Sequence, residues 1–136
     1  MRSDKIFSKF DCERIERTFA QYNNTNESEK KLIELLKNQL HRSKQVPPQK
    51  IKANVVTMNS KFILKNIGNG KKEEYHLVFP EESDAKKKKI SVFSGIGLQV
   101  LGSTIGTVIK ENSGSEQYYV IESIIYQPEA AGHYNL

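Results

Sequence analysis

"SKQVPPQKIKANV", Ser43 to Val55, decides how this chain folds. Pro47 and Pro48 lack a backbone N–H, and each pushes the residue before it out of helical backbone. No helix continues through them. Before the pair, apolar residues recur at helical spacing; after it, they alternate as strands do. The chain therefore reads as a helical segment, residues 1–46, followed by a strand-rich segment, residues 47–136.

Ile15, Phe19 and Tyr22 stand at i, i+4 and i+7 and share one helix face, with Ser8 or Asp11 available as the cap. Leu32, Leu35, Leu36 and Leu40 repeat the pattern in a second helix, and Ile33 widens the stripe. Between them, "NNTNESE" places Asn26 three residues before Glu29, a helix-start signature. Two helices with one apolar stripe each predict a short antiparallel hairpin. Its arms are roughly 18 to 24 Å long at 1.5 Å per residue.

Past the prolines, "KFILKNIGNGKKEEYHLVF" reads as two strands around Gly68-Asn69-Gly70. "KKISVF" is a third short strand. "SGIGLQVLGS" breaks the pattern: Ser94 can cap a short helix carrying Ile96, Val100 and Leu101, which Gly102 or Gly106 ends. "GTVIKENSGSEQYYVIESIIYQ" is a second hairpin turning at Asn112 to Ser115, and its last strand is apolar enough near Ile121 to Ile125 to be central. The expected class is α+β: an antiparallel sheet with one short helix filling its concave face.

The 136 residues suit one domain with a small appendage. Lys and Arg total 21 against 16 Asp and Glu, a net charge of +5 that favours an acidic partner weakly. Much of the excess sits in Lys86, Lys87, Lys88 and Lys89, read as a solvated loop or strand entry, with DNA or RNA phosphate contact as the alternative. Cys12, the only cysteine, excludes an internal disulfide and reads as a small buried hydrophobe. The first thirty residues hold no long apolar run, and no stretch is long enough to span a membrane, so a cytoplasmic monomer is expected. His41, His76 and His133 lack zinc-ligand spacing. "GNG" and "GIG" lack the context of a phosphate loop.

"VVTMNS" (Val55 to Ser60), "SVFSGIGLQVLGSTIG" (Ser91 to Gly106) and the terminal "YQPEAAGHYNL" (Tyr126 to Leu136) resemble, in order and spacing, the Rnk proteins. These are regulators of nucleoside diphosphate kinase, related to the bacterial transcript-cleavage factors GreA and GreB. "FDCERIERTF", Phe10 to Phe19, resembles the start of the Rnk helical hairpin. The resemblance implies a short coiled coil before an FKBP-like domain of the GreA/GreB C-terminal type. It also implies docking on the rim of the secondary channel of RNA polymerase. The terminal segment would pack back on the molecule, with Pro128 and Gly132 setting turns and Tyr126 and Tyr134 supplying apolar surface.

In cleavage factors of this kind, two acidic residues at the coiled-coil tip help hold a catalytic magnesium ion. Here the tip region offers Asn24, Asn26, Glu27 and Glu29. Neutral amides are poorer ligands for a hard cation, and the glutamates fall where they complement a helix N-terminus. The expectation is a regulator without transcript cleavage, without enzymatic activity of its own, and with no catalytic residue, metal or cofactor. By motif, polymerase docking falls on Phe93, Ser94, Gly95 and Ile96. Phe93 is either an exposed aromatic hot spot or a core residue of the third strand. Gly95 stands where relatives commonly carry Pro, and Thr107 where they usually carry Asp. The competing readings are an active Gre-like cleavage factor, a basic nucleic-acid-binding module, and a prolyl isomerase suggested by fold analogy alone.

Overall fold

The computed structural model describes residues 5–21, 27–111 and 116–134. Its first strand, β1 (Ile6–Ser8), leads into helix α1 (Lys9–Gln21). Ser8 ends the strand and caps the helix, its Oγ accepting the Asp11 N–H at 2.9 Å. Helix α2 (Glu27–Arg42) follows, then β2 (Lys44–Val46), which pairs with β1 in parallel. This small parallel pair has no counterpart in the sequence reading, because three-residue strands carry no periodicity to detect.

The two helices meet along apolar stripes: Ile15 on α1, Leu36 and Leu40 on α2 are buried, with Phe19, Leu32 and Ile33 packed against them. Lys37 Nζ lies 5.2 Å from the Phe19 ring centre and His41 Nε2 lies 3.8 Å from Glu16, so the helices run in opposite directions where they touch. Tyr22 and Asn26 lie outside the described residues.

A five-stranded sheet forms the rest: β3 (Lys61–Asn66), β4 (Lys72–Val78), β5 (Lys89–Ser91), β6 (Val108–Glu111) and β7 (Gln117–Tyr126), in the order β5-β4-β3-β7-β6. β3 and β4 form the expected hairpin. Gly70 takes φ +76° at its turn, and Asn66 Oδ1 accepts from the Gly68 N–H at 2.8 Å. β7 pairs with β3 on one side and β6 on the other, so it is interior as its apolar run suggested. The turn expected at Asn112 to Ser115 falls outside the described residues.

The sheet is not wholly antiparallel, which corrects the sequence reading: β5 runs parallel to β4. Pro80 opens a 3-10 turn where a tight hairpin would need to continue, and a second 3-10 turn ends at Lys88 with φ 57°. This short crossover carries the chain back before β5 begins. Helix α3 (Gly95–Val100) then buries Gly97, Leu98 and Val100.

One core crosses the division at residue 46. Ile15, Leu36 and Leu40 belong to the same cluster as Phe62, Phe93, Leu101 and Ile121. Phe7 packs so closely on Gly102 that a Cβ there would stand 2.7 Å from its ring, and Gly102 has φ +79°. The prolines therefore separate two sequence periodicities but not two cores.

Candidate docking site

The turn after β5 is a closed set of short bonds. Ser94 is extended (φ −82°, ψ 165°); its Oγ donates to Ser91 O at 2.7 Å and accepts from the Gly97 N–H at 3.0 Å. The Ser94 carbonyl accepts from the Leu98 N–H at 3.0 Å, which starts α3. Gly97 is required by this geometry, since a Cβ would sit 1.9 Å from the Ser91 carbonyl oxygen. Gly95 faces open space, with nothing within 4 Å of where a Cβ would stand.

Of the two readings of Phe93, the structure gives the core residue. It is 2% exposed and stacks on Phe19 with centroids 5.4 Å apart and planes at 11°. An exposed ring is therefore not what this turn presents, because α1 covers it. The ring ties α1 to the turn instead. Gly95 is exposed and Ser94 and Ile96 are half-buried, so these three form the accessible part of the predicted site.

They border an open apolar groove of about 660 Å³. Leu32 and Leu35 of α2, Ile90 of β5, and Ile96 and Leu98 of α3 line it. Leu35, placed in the helical stripe by its spacing, is 52% exposed here, because the stripe is wider than the surface α2 has to bury. At the groove's edge Lys5 Nζ donates to Leu98 O at 2.8 Å and Gln39 Oε1 at 3.0 Å, and burial pushes its pKa down to about 8. On the other side Gln99 binds the backbone of Lys110 twice: Nε2 donates to its carbonyl at 2.7 Å, and Oε1 accepts its N–H at 3.0 Å. That side-chain amide fixes the free edge of β6 as the groove's wall.

The expected tip residues are only partly described. Glu27 opens α2 and is exposed, Glu29 falls in its first turn, and Asn24 and Asn26 lie outside the described residues. Lys86 and Lys87 occupy an exposed 3-10 turn, Lys88 bonds Glu73 at 2.6 Å, and Lys89 opens β5, which matches the strand-entry reading of the lysine run.

The remaining motifs are bound to each other. In "VVTMNS" the Thr57 Oγ1 donates to Glu129 Oε1 at 2.7 Å, and the Met58 N–H donates to Asp11 Oδ2 at 3.0 Å. Gln127 Nε2 donates to the carbonyls of Lys52 and Val55 at 2.8 and 2.6 Å. The loop is thus held from one side by α1 and from the other by the terminal segment. The expected turns are present, with Gly132 at φ +79° and Pro128 O accepting from the His133 N–H at 2.7 Å. The tyrosines are not the anchors: Tyr134 is 39% exposed and Tyr126 half-buried, while Gln127 and Glu129 are buried. Asp11, seen in the sequence only as a cap, is 1% exposed. Burial pushes its pKa up to about 6, against the Met58 N–H and Arg14, whose Nη2 donates to Oδ1 at 2.8 Å. A charged residue on an otherwise apolar helix face was the available signal.

The sequence profile of the family described as "Transcription elongation factor, GreA/GreB, C-term" matches residues 51–126. The chain belongs to the GreA/GreB family. Across the larger part of its length this GreA/GreB-family chain is similar to the "Regulator of nucleoside diphosphate kinase" of Escherichia coli strain K12, 30% identical over 107 residues that cover 77% of this chain and 79% of that protein. It is also similar to the "Transcription elongation factor GreA" of Thermodesulfovibrio yellowstonii, 31% identical over 96 residues, 70% of this chain and 61% of the relative. A solved GreA/GreB factor from Nitrosomonas europaea superposes with a TM-score of 0.77 at 25% identity, covering 92% of this chain and all of that one. The Gfh1 structure of Thermus thermophilus, with a TM-score of 0.50 at 16% identity, covers 91% of this chain and all of its own and shares the fold.

Proposed function

We propose that this GreA/GreB-family chain is a non-enzymatic regulator that binds bacterial RNA polymerase at the secondary-channel entrance and does not stimulate transcript cleavage. The observation that carries the docking reading is the solvent-open apolar groove beside the Ser94-Gly95-Ile96 turn, where the motif places the contact. α1 and α2 are read as the family's coiled coil in a shortened form, and the sheet with α3 as its FKBP-like domain. At 13 and 16 residues the helices are roughly 20 and 24 Å long, short arms for reaching a deep catalytic centre. The cytoplasm is the compartment that this partner implies.

The test is capture of core RNA polymerase by the full chain, in competition with a GreA factor. Ile96→Asp is expected to weaken capture by ~1–3 kcal/mol, the scale of an interface hot spot. Unchanged capture by a folded Ile96→Asp variant removes the groove from the docking site. On a backtracked elongation complex with magnesium, no acceleration of RNA 3′-end cleavage is expected. Acceleration by this chain would replace the regulator reading with the cleavage-factor one.

A further inference from the structure

The outer face of the sheet carries a second surface, on the side away from α3. Phe62 and Leu64 point into the core, so Lys61, Ile63 and Lys65 point outward. Directly opposed residues share a face. Lys61 is opposed by His76 on β4, and His76 by Lys89 on β5, which an isolated bridge opposes in turn to Asp84; Lys61 also registers with Tyr126 on β7, at a shift in register next to Phe62. One row therefore crosses three strands in the order Lys89, His76, Lys61, and Tyr126 stands beside Lys61 at the irregularity. With strands about 4.8 Å apart, the two lysines stand about 10 Å from each other along it.

Beside the end of the row is a pair of rings. Tyr126 Oη and His133 Nδ1 are 2.6 Å apart, with ring centroids 5.8 Å apart and planes at 41°. Of the lysines nearby, Lys72 pairs with Glu122 at 3.1 Å and Lys88 with Glu73 at 2.6 Å. Lys61 and Lys89, like Lys65, make no ion pair among the described residues, although Asp84 lies opposite Lys89. His76 registers their charge. Burial first, then Lys61 and Lys89, hold its pKa below the ordinary value, with the Asn59 backbone and Glu82 acting the other way.

We propose that this row binds single-stranded nucleic acid, with Lys89 and Lys61 on backbone phosphates and the Tyr126–His133 pair offering a ring face to a base. Two cations without an ion pair beside an aromatic pair are the two parts of a sequence-tolerant single-strand surface: charge that follows the backbone, and a platform on which a base stacks. An acidic peptide would use the cations but leave the rings without a partner. The surface is separate from the groove at Ser94 to Ile96, and its failure would leave the polymerase reading intact.

The experiment is fluorescence anisotropy of the full chain with labelled oligouridylate and oligothymidylate, titrated from about 50 to 200 mM salt. Two phosphate contacts give a slope of about −1.4 in log affinity against log salt. The double variant Lys61→Gln with Lys89→Gln is expected to bind about tenfold more weakly and to lose most of that slope. Lys30→Gln with Lys31→Gln, the same loss of charge on the exposed face of α2, is expected to change neither. Tyr126→Leu should weaken binding several-fold and leave the slope unchanged. Equal affinity for the two oligonucleotides places recognition on phosphate and base, and preference for the RNA adds the 2′-hydroxyl; either supports the surface. Absence of binding at about 50 mM salt overturns it, as does an equal loss in the α2 variant, or polyglutamate displacing the oligonucleotide at equal charge. Photo-crosslinking of the unsubstituted chain to a thiouridine-containing strand needs no variant to fold. Crosslinks at Tyr126 or His133 support the row, and crosslinks confined to other segments overturn it.

Discussion

Asp11→Asn is the substitution whose effect the structure fixes most tightly. The carboxylate is 1% exposed and accepts from the Met58 N–H at 3.0 Å and from Arg14 at 2.8 Å. Burial wins over both donors, and the folded pKa rises from 3.8 to about 6. A carboxyl group with a raised folded pKa binds its proton more tightly folded than unfolded. Its contribution to stability is therefore fully present below about pH 4 and is lost as pH rises through about 6. Two pKa units at 1.36 kcal/mol each make that loss about 3 kcal/mol by pH 7. Asparagine keeps an acceptor for the Met58 N–H and has nothing to titrate. Where the Asp11 proton is in place the carboxyl is already neutral, so the amide costs at most about 1 kcal/mol there, through its altered hydrogen bond with Arg14. Relative to the native chain, the variant should therefore be slightly less stable at pH 4 and gain about 3 kcal/mol between pH 4 and pH 7. Urea unfolding followed by circular dichroism, at one-unit steps of pH, gives the two curves, and their difference removes every other titrating group. A flat difference, or one in which the variant loses ground as pH rises, would refute the assignment of Asp11 as a carboxylate held against its own burial.

Three further outcomes follow from the turn and the sheet edge. Gly97→Ala should destabilise by about 4 kcal/mol or more, or prevent folding, since its methyl meets the Ser91 carbonyl oxygen at 1.9 Å; a melting temperature within a few degrees of the native chain contradicts the packing. Gly95→Pro should raise stability by about 0.5–1 kcal/mol, because the first helical position tolerates proline, the site is open, and Ser94 before it is already extended. A loss of stability there would mean that the turn needs the glycine. Gln99→Ala frees both backbone groups of Lys110 on the β6 edge, and should cost about 1–2 kcal/mol and raise concentration-dependent association by light scattering. Unchanged association would show that the edge needs no cover.

Short-range chemistry was legible in the chain. Pro47 and Pro48 enter a 3-10 turn and not a helix, although α2 has already ended at Arg42; Ser94 caps α3 because a hydroxyl at that position has only to reach an N–H three residues on; Gly70 turns the β3–β4 hairpin because φ is positive there. These rules act within one turn of chain, and sequence fixes what lies within one turn. Helical spacing likewise found both apolar stripes. It could not find how much of each stripe would be covered, so Leu35 remained half in water while Phe93 was sealed by Phe19.

Contacts between distant segments were decided only by the tertiary structure. The parallel course of β5 depends on where two 3-10 turns return the chain. The β1–β2 pair exists because α1 and α2 bring residues far apart in sequence side by side. The terminal "YQPEAAGHYNL" reads as a docking segment, yet its anchors are Gln127 and Glu129, and their partners on Val55 and Thr57 lie 72 residues away. A buried polar side chain is stable only where it meets a partner. Which partner it meets is a property of the assembled fold, and a single chain of letters carries no local trace of it.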